Sequence, residues 1–255
     1  GGRLHFAYVA DGLWRCDSDS LGSIGGALAA AYSPERQHAE AFFADPDGDL
    51  VHAWVDGGWR RQSSAFMPVG KVGGAIAAVH SPARRHTEVF WVRADGRLVH
   101  SYVESGAWQH HHESFAAAGS IVEVAAVYSP AREHTEVFAL SADGRLHYFY
   151  VAGGAWRHDP QSLGTARGGL SATYSPIRSH AELFYVSQDG HLAYAFVNVE
   201  WRCDAETFRS AGRVRGGVAA VYAPQREHSE VFFADDDGML RYFFVEGGVW
   251  RSSTL

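Results

Sequence analysis

The string Ser33-Pro34-Glu35-Arg36-Gln37-His38-Ala39-Glu40 returns as Ser81-Pro82-Ala83-Arg84-Arg85-His86-Thr87-Glu88 and three times more, anchored at Pro34, Pro82, Pro130, Pro176 and Pro224. The anchors are 48, 48, 46 and 48 residues apart, so the chain is a tandem array, and its function is to be sought in something it does several times over.

Reading outward from the first anchor gives four short strands. Gly25 to Tyr32 is small and apolar throughout, which suits an inner strand buried on both faces. Proline removes a ladder donor at the turn that follows. His38 to Phe43 is a second strand, closed by Asp47-Gly48, a dipeptide that accepts the positive φ of a tight hairpin. The third strand places Leu50, His52 and Trp54 on one face, and the later copies read Leu98/His100/Tyr102, Leu146/Tyr148/Tyr150, Leu192/Tyr194/Phe196 and Leu240/Tyr242/Phe244. A glycine-rich turn leads to a fourth strand opened by Trp59, Trp108, Trp156, Trp201 or Trp250. No 3.6-residue apolar period persists, which excludes helical solenoids.

Four-stranded units of this period predict an all-β fold, a β-propeller of residues 1–255 as one domain. Its expected blades are 22–67, 70–116, 118–164, 166–209 and 213–255, with inner strands near 25–32, 74–80, 122–128, 168–174 and 216–222. Residues 1–20 read as a half-blade, a third and fourth strand without a first and second. The count leaves open a five-position or a six-position ring, and a second chain could supply the absent pair.

A formal net charge of −7, with arginines scattered singly, argues against a nucleic-acid surface. The sequence shows neither a run of eighteen apolar residues nor a charged-then-apolar leader, so a soluble chain without membrane insertion is expected, secreted or cytoplasmic. The two cysteines, Cys16 and Cys203, fall at equivalent points of non-adjacent units and are expected to be free thiols.

The strings Glu-Val-Phe, Ala-Asp-Gly-Arg-Leu and Val-x-x-Gly-x-Trp, together with Phe42-Phe43-Ala44-Asp45-Pro46-Asp47-Gly48-Asp49-Leu50, resemble the repeats of β-propeller lectins of the tachylectin and PLL-like types. That resemblance covers essentially the whole chain. It implies a multivalent carbohydrate binder with shallow sites near blade boundaries, where aromatic rings stack on sugar C–H faces. Fucose-binding propeller lectins are a more distant comparison: their second-strand arginine falls where this chain has Glu40, Glu88, Glu136, Glu182 and Glu230. Their third-strand glutamate falls at His52, His100, Tyr148, Tyr194 and Tyr242, so fucose specificity does not carry over.

The candidate binding residues are the repeated polar trio and the tryptophan row. The trio is Arg36/His38/Glu40, Arg84/His86/Glu88, Arg132/His134/Glu136, Arg178/His180/Glu182 and Arg226/His228/Glu230. It can serve either as a latch across the turn or as donors and acceptors for sugar hydroxyls. Trp59, Trp108, Trp156, Trp201 and Trp250 can serve as blade spacers or as stacking platforms. Phe42, Phe90, Phe138, Phe184 and Phe232 read as core. His110-His111-His112 alternates between faces of a strand and does not converge on one ion, so neither a metal nor a cofactor is expected.

No nucleophile elbow, phosphate loop or metal-ligand spacing is found, and the loops are short and alike, which points away from an enzyme. The expected partners are glycans or glycoconjugates, with a homo-oligomer compatible. The competing reading is a protein-interaction scaffold, whose surfaces would be expected to differ from blade to blade.

Overall fold

The structure, a computed structural model, describes residues 2–17, 21–160, 163–198, 200–246 and 248–254. The outer limits of the expected half-blade at 20 and of the last blade at 255 lie outside these residues. Five antiparallel four-stranded sheets follow the chain in meander order. The first is Leu28–Ser33, His38–Ala44, Leu50–Val55 and Trp59–Gln62. The second is Val72–Ser81, His86–Arg93, Leu98–Glu104 and Ala107–His111. The third is Ile121–Ser129, His134–Ser141, Leu146–Ala152 and Ala155–Asp159. The fourth is Gly168–Ser175, His180–Val186, Leu192–Asn198 and Glu200–Asp204, and the fifth Val214–Ala223, His228–Asp235, Leu240–Glu246 and Val249–Thr254. Phe6–Ala10 and Leu13–Asp17 pair only with each other, the half-blade, and Gly2–Arg3 pairs with Ser23–Ile24.

The chain divides into two compact units, Gly1–His112 with the half-blade and two blades, and Glu113–Leu255 with three blades. Within each unit the first strands of successive blades run side by side, as in a β-propeller.

The turn between first and second strands is identical in all five blades. Gln37, Arg85, Glu133, Ser179 and Glu227, each between the repeat Arg and His, adopt φ of 53–58°. No glycine or asparagine is used there, so every blade carries one left-handed residue held by its surroundings. That backbone reversal places the Arg at the turn and the His and Glu on the second strand.

Stacked rings fill each blade. Phe42, His52 and Trp54 lie face to face at 4.6 and 4.8 Å, and the fourth blade repeats this with Phe184, Tyr194 and Phe196 at 5.0 and 5.1 Å. Phe42, Phe90, Phe138 and Phe184 are fully buried, as expected. Phe232 is only half-buried, contrary to its reading as core. Within each unit the Trp of the following blade closes over this position, as Trp108 does over Phe42, Trp201 over Phe138 and Trp250 over Phe184.

The inner strands also depart from expectation. The first is not buried on both faces: Leu28 is 47% and Tyr32 58% exposed. Small residues are needed there for another reason, close backbone approach. A Cβ on Gly25 would stand 2.7 Å from Pro46 Cα, and one on Gly73 would stand 2.8 Å from the Ala94 nitrogen.

Three short 3-10 turns, Met67–Val69, Glu113–Ala118 and Arg209–Ala211, carry the chain from one blade to the next. Phe66, Phe115 and Phe208, at or beside them, are buried. Each leans on a fourth-strand tryptophan, Trp108, Trp156 or Trp250, at 4.9–5.2 Å. No described helix is long and apolar enough to cross a membrane.

Candidate functional site

The repeat Arg and Glu pair in every blade. Arg36 Nη1 lies 3.4 Å from Glu40 Oε1, Arg84 Nε 3.3 Å from Glu88 Oε1 and Arg132 Nη1 3.6 Å from Glu136 Oε1. Arg178 and Arg226 reach Glu182 and Glu230 at 3.2 and 3.1 Å. Four of these carboxylates are buried, Glu40 at 3% exposure among them, whereas the guanidinium groups stay largely in solvent. The pair therefore does bridge the turn, and it leaves the outer edge of each arginine open to solvent.

The repeat histidines support the carboxylate and the turn. His38, His180 and His228 point Nε2 at the carboxylate of their own blade from 3.3–3.4 Å. His86 and His134 bond through Nδ1 to the carbonyls of Arg84 and Arg132 at 2.9 Å. Burial holds His86 below the usual imidazole range, against the nearby Glu88 charge.

Sequence reasoning had not counted the third-strand residue as part of the site, and the structure puts it at the centre. In the first two blades it is a histidine: His52 and His100 set Nε2 at 3.4 and 3.1 Å from Glu40 and Glu88. In the third it is Tyr148, whose hydroxyl donates to Glu136 Oε2 at 2.6 Å and accepts from Arg132 Nη1 at 2.8 Å. Tyr194 does the same between Glu182 (3.0 Å) and Arg178 (3.2 Å), and Tyr242 accepts from Arg226 at 2.9 Å. The signal was available in the alternation of the third strand, which puts this residue on the face of the buried Leu.

Charge follows from this arrangement. Burial pushes the Glu40 carboxyl up, but the hydrogen-bonding contact and charge of His52, the nearby Thr87 hydroxyl and Arg36 outweigh it and bring the pKa down to about 2. Thr87 comes from the next blade and stands beside the carboxylate without closing a bond of ordinary geometry. Glu88 and Glu182 are lowered in the same way, burial being overcome by His100 in one and chiefly by His180 and Ser229 in the other. Tyr148 and Tyr194 are pushed far up, by burial first and then by the adjoining carboxylates.

The tryptophan row completes the site from the neighbouring blade. Trp108 stands edge-on to Phe42 (6.0 Å) and His52 (5.3 Å) of the first blade. Trp201 does so to Phe138 and Tyr148 of the third blade, and Trp250 to Phe184 and Tyr194 of the fourth. Trp59 meets Phe6 of the half-blade at 5.0 Å. Trp156 is half-buried against Phe115. Trp108, Trp201 and Trp250 thus pack between blades while staying partly exposed.

Two clefts open at such boundaries. One, of ≈ 600 Å³, has Arg36, Glu40, His52 and Trp54 on one side and His86, Thr87 and Trp108 on the other. The second, of ≈ 780 Å³, is lined by Arg178, His180, Tyr194 and Phe196 with Trp250 opposite.

Outside these clefts, His110 spends its ring nitrogens on Ser101 Oγ and the Ala65 carbonyl, both at 2.9 Å. Among the described residues no group of three or more His, Cys, Asp or Glu could hold a metal ion. Cys16 and Cys203 are free thiols, and burial raises the pKa of Cys203.

No family model and no curated protein sequence matches this chain. Among solved structures it is similar to the BP39L lectin from Burkholderia pseudomallei, with TM-score 0.76, 22% identity, and coverage of 100% of this chain and 78% of that one. It is also similar to AofleA from Arthrobotrys oligospora, with TM-score 0.71, 14% identity, and coverage of 100% and 79%. A third is a mutant Aleuria aurantia lectin in complex with alpha-methyl-L-fucoside, with TM-score 0.66, 17% identity, and coverage of 90% and 78%. At these identities the likeness establishes the fold, an all-β propeller of four-stranded blades.

Proposed function

We propose that the chain is a multivalent carbohydrate-binding lectin whose repeated shallow sites lie at blade boundaries. One observation carries the reading: a cleft with the repeat Arg of one blade faced by a half-buried tryptophan of the next occurs between blades one and two and again between blades four and five. Such a cleft offers a guanidinium edge and an aromatic wall to a pyranose, whose hydroxyls and C–H face need those two things. Repetition favours a ligand that is itself repeated, and weak sites linked in one chain gain by avidity. Catalysis would call for one asymmetric constellation, whereas these clefts are variants of one repeated arrangement.

The repeat Arg, His, Glu and Trp residues of all five blades are the proposed contacts, with the Arg–Glu pair also latching the turn. The structural neighbours include lectins with bound fucosides, which supports glycans as partners. Fucose itself is not assigned, because the second-strand glutamates and third-strand His and Tyr depart from the fucose-binding pattern.

A glycan array followed by titration calorimetry tests the reading. A glycan bound at more than one site per chain is expected, with Trp108→Ala lowering the stoichiometry by one site and leaving the Trp250 cleft intact. Silence across the array, or binding unchanged in both Trp108→Ala and Trp250→Ala, overturns it.

A further inference from the structure

The third-strand position splits the clefts into two kinds. In blades three and four a tyrosine hydroxyl sits between guanidinium and carboxylate, accepting from Arg132 or Arg178 and donating to Glu136 or Glu182. Tyr242 is bonded to Arg226 in the same way. These blades carry a hydroxyl of their own in the Arg–Glu gap.

In the first blade His52 replaces the tyrosine and supplies no hydroxyl. Arg36 reaches Glu40 only by a long 3.4 Å bond. His52 is 4% exposed: Nε2 is held only by a long 3.4 Å contact to Glu40 Oε2, and Nδ1 has no hydrogen-bond partner. A buried ring nitrogen left unpartnered is costly, and this ring lines a cleft of ≈ 600 Å³ together with Arg36, Glu40 and Trp108. In the fourth-blade cleft the third-strand wall residue is Tyr194, already bonded on both sides, and Glu182 is not among the described lining residues.

We propose that the cleft between blades one and two binds a free hydroxyl of a sugar in the place that the tyrosine hydroxyl occupies in blades three to five, with His52 as the residue that determines this specificity. The inference rests on the lectin reading and adds to it that the clefts differ in ligand. The ligand hydroxyl accepts from Arg36, donates to Glu40 and meets a ring nitrogen of His52, while the sugar ring lies against Trp108. The Trp250 cleft accepts a sugar face that lacks a hydroxyl at that point.

The test uses His52→Tyr, the full chain, and a methyl glycoside selected on the array with its monodeoxy series. His52→Tyr should fill the gap, removing one site by calorimetry or weakening it by at least about tenfold, while its melting temperature stays the same or rises. One deoxy analogue should produce the same loss on the wild type and no further loss on His52→Tyr. As a measurement on the unaltered chain, the ¹⁵N resonances of the His52 ring should shift when the glycoside is added, and those of His110 should not. If the wild type binds the glycoside while His52→Tyr keeps every site at full affinity and the His52 ring is silent, the proposal falls and the lectin reading stands. If the wild type binds no glycan, both fall.

Discussion

Replacing Tyr148 by Phe isolates the latch from the binding surface, because it removes one oxygen and keeps the ring stack. The lost hydroxyl donates to Glu136 at 2.6 Å and accepts from Arg132 at 2.8 Å. Glu136 is 1% exposed, so water cannot readily replace the donor, and a charge-assisted bond of this kind contributes about 1.5–3 kcal/mol. Arg132 is 39% exposed on its side chain and recovers its loss from solvent, adding little. The net expectation is about 2 kcal/mol of destabilisation, or roughly 4–8 °C in melting temperature for a chain of this size. Stacking of ring 148 on Phe138 (5.3 Å) and Tyr150 (5.1 Å) persists, so the folded near-ultraviolet dichroism should be retained at low temperature. Paired urea and thermal melts of wild type and variant measure the difference. A melting temperature within a degree of wild type would refute the claim that the hydroxyl holds a buried carboxylate.

Acid should weaken the first blade through Glu40, whose folded pKa of about 2 lies below its ordinary 4.5. A depressed carboxyl contributes stability that is present above pH ~4.5 and lost as pH falls towards ~2, on the order of 3 kcal/mol. Glu40→Gln should flatten that limb in urea midpoints taken from pH 2 to 6, and an unchanged acid slope would count against the pairing described. Gly73→Ala should cost about 1–3 kcal/mol, since its Cβ would meet the backbone of Ala94, whereas Gly58→Ala, with nothing within 4 Å, should be near neutral by the same melts. Equal effects of the two would discount the close approach of strand and loop.

Most of the fold was legible because each unit repeats its own punctuation. Pro34 and its copies, the Asp-Gly turns and the period-two apolar faces are local signals, and local signals survive without knowledge of neighbours. The inner strand was misread for the converse reason: a run of small residues records that something comes close, not what comes close or from which side. Gly25 and Gly73 make room for the loops of their own blades, while Tyr32, in the strand that follows Gly25, is exposed. Phe232 looked like its four buried equivalents because the residue that would cover it belongs to another blade.

The same division runs through the candidate site. From the sequence alone came the period, the four strands, the Arg-x-His-x-Glu trio and the tryptophan row, all recognisable from covalent neighbours and spacing. Tertiary structure alone decided that the arginine and glutamate of one blade pair across its turn and that the Trp comes from the following blade. It also decided that His52 or Tyr148 sits beside the carboxylate, twelve residues further along the chain. The left-handed turn sets the first of these, antiparallel register the third, and packing of one twisted blade on the next the second. A contact between residues on different strands has no signature in either strand read by itself.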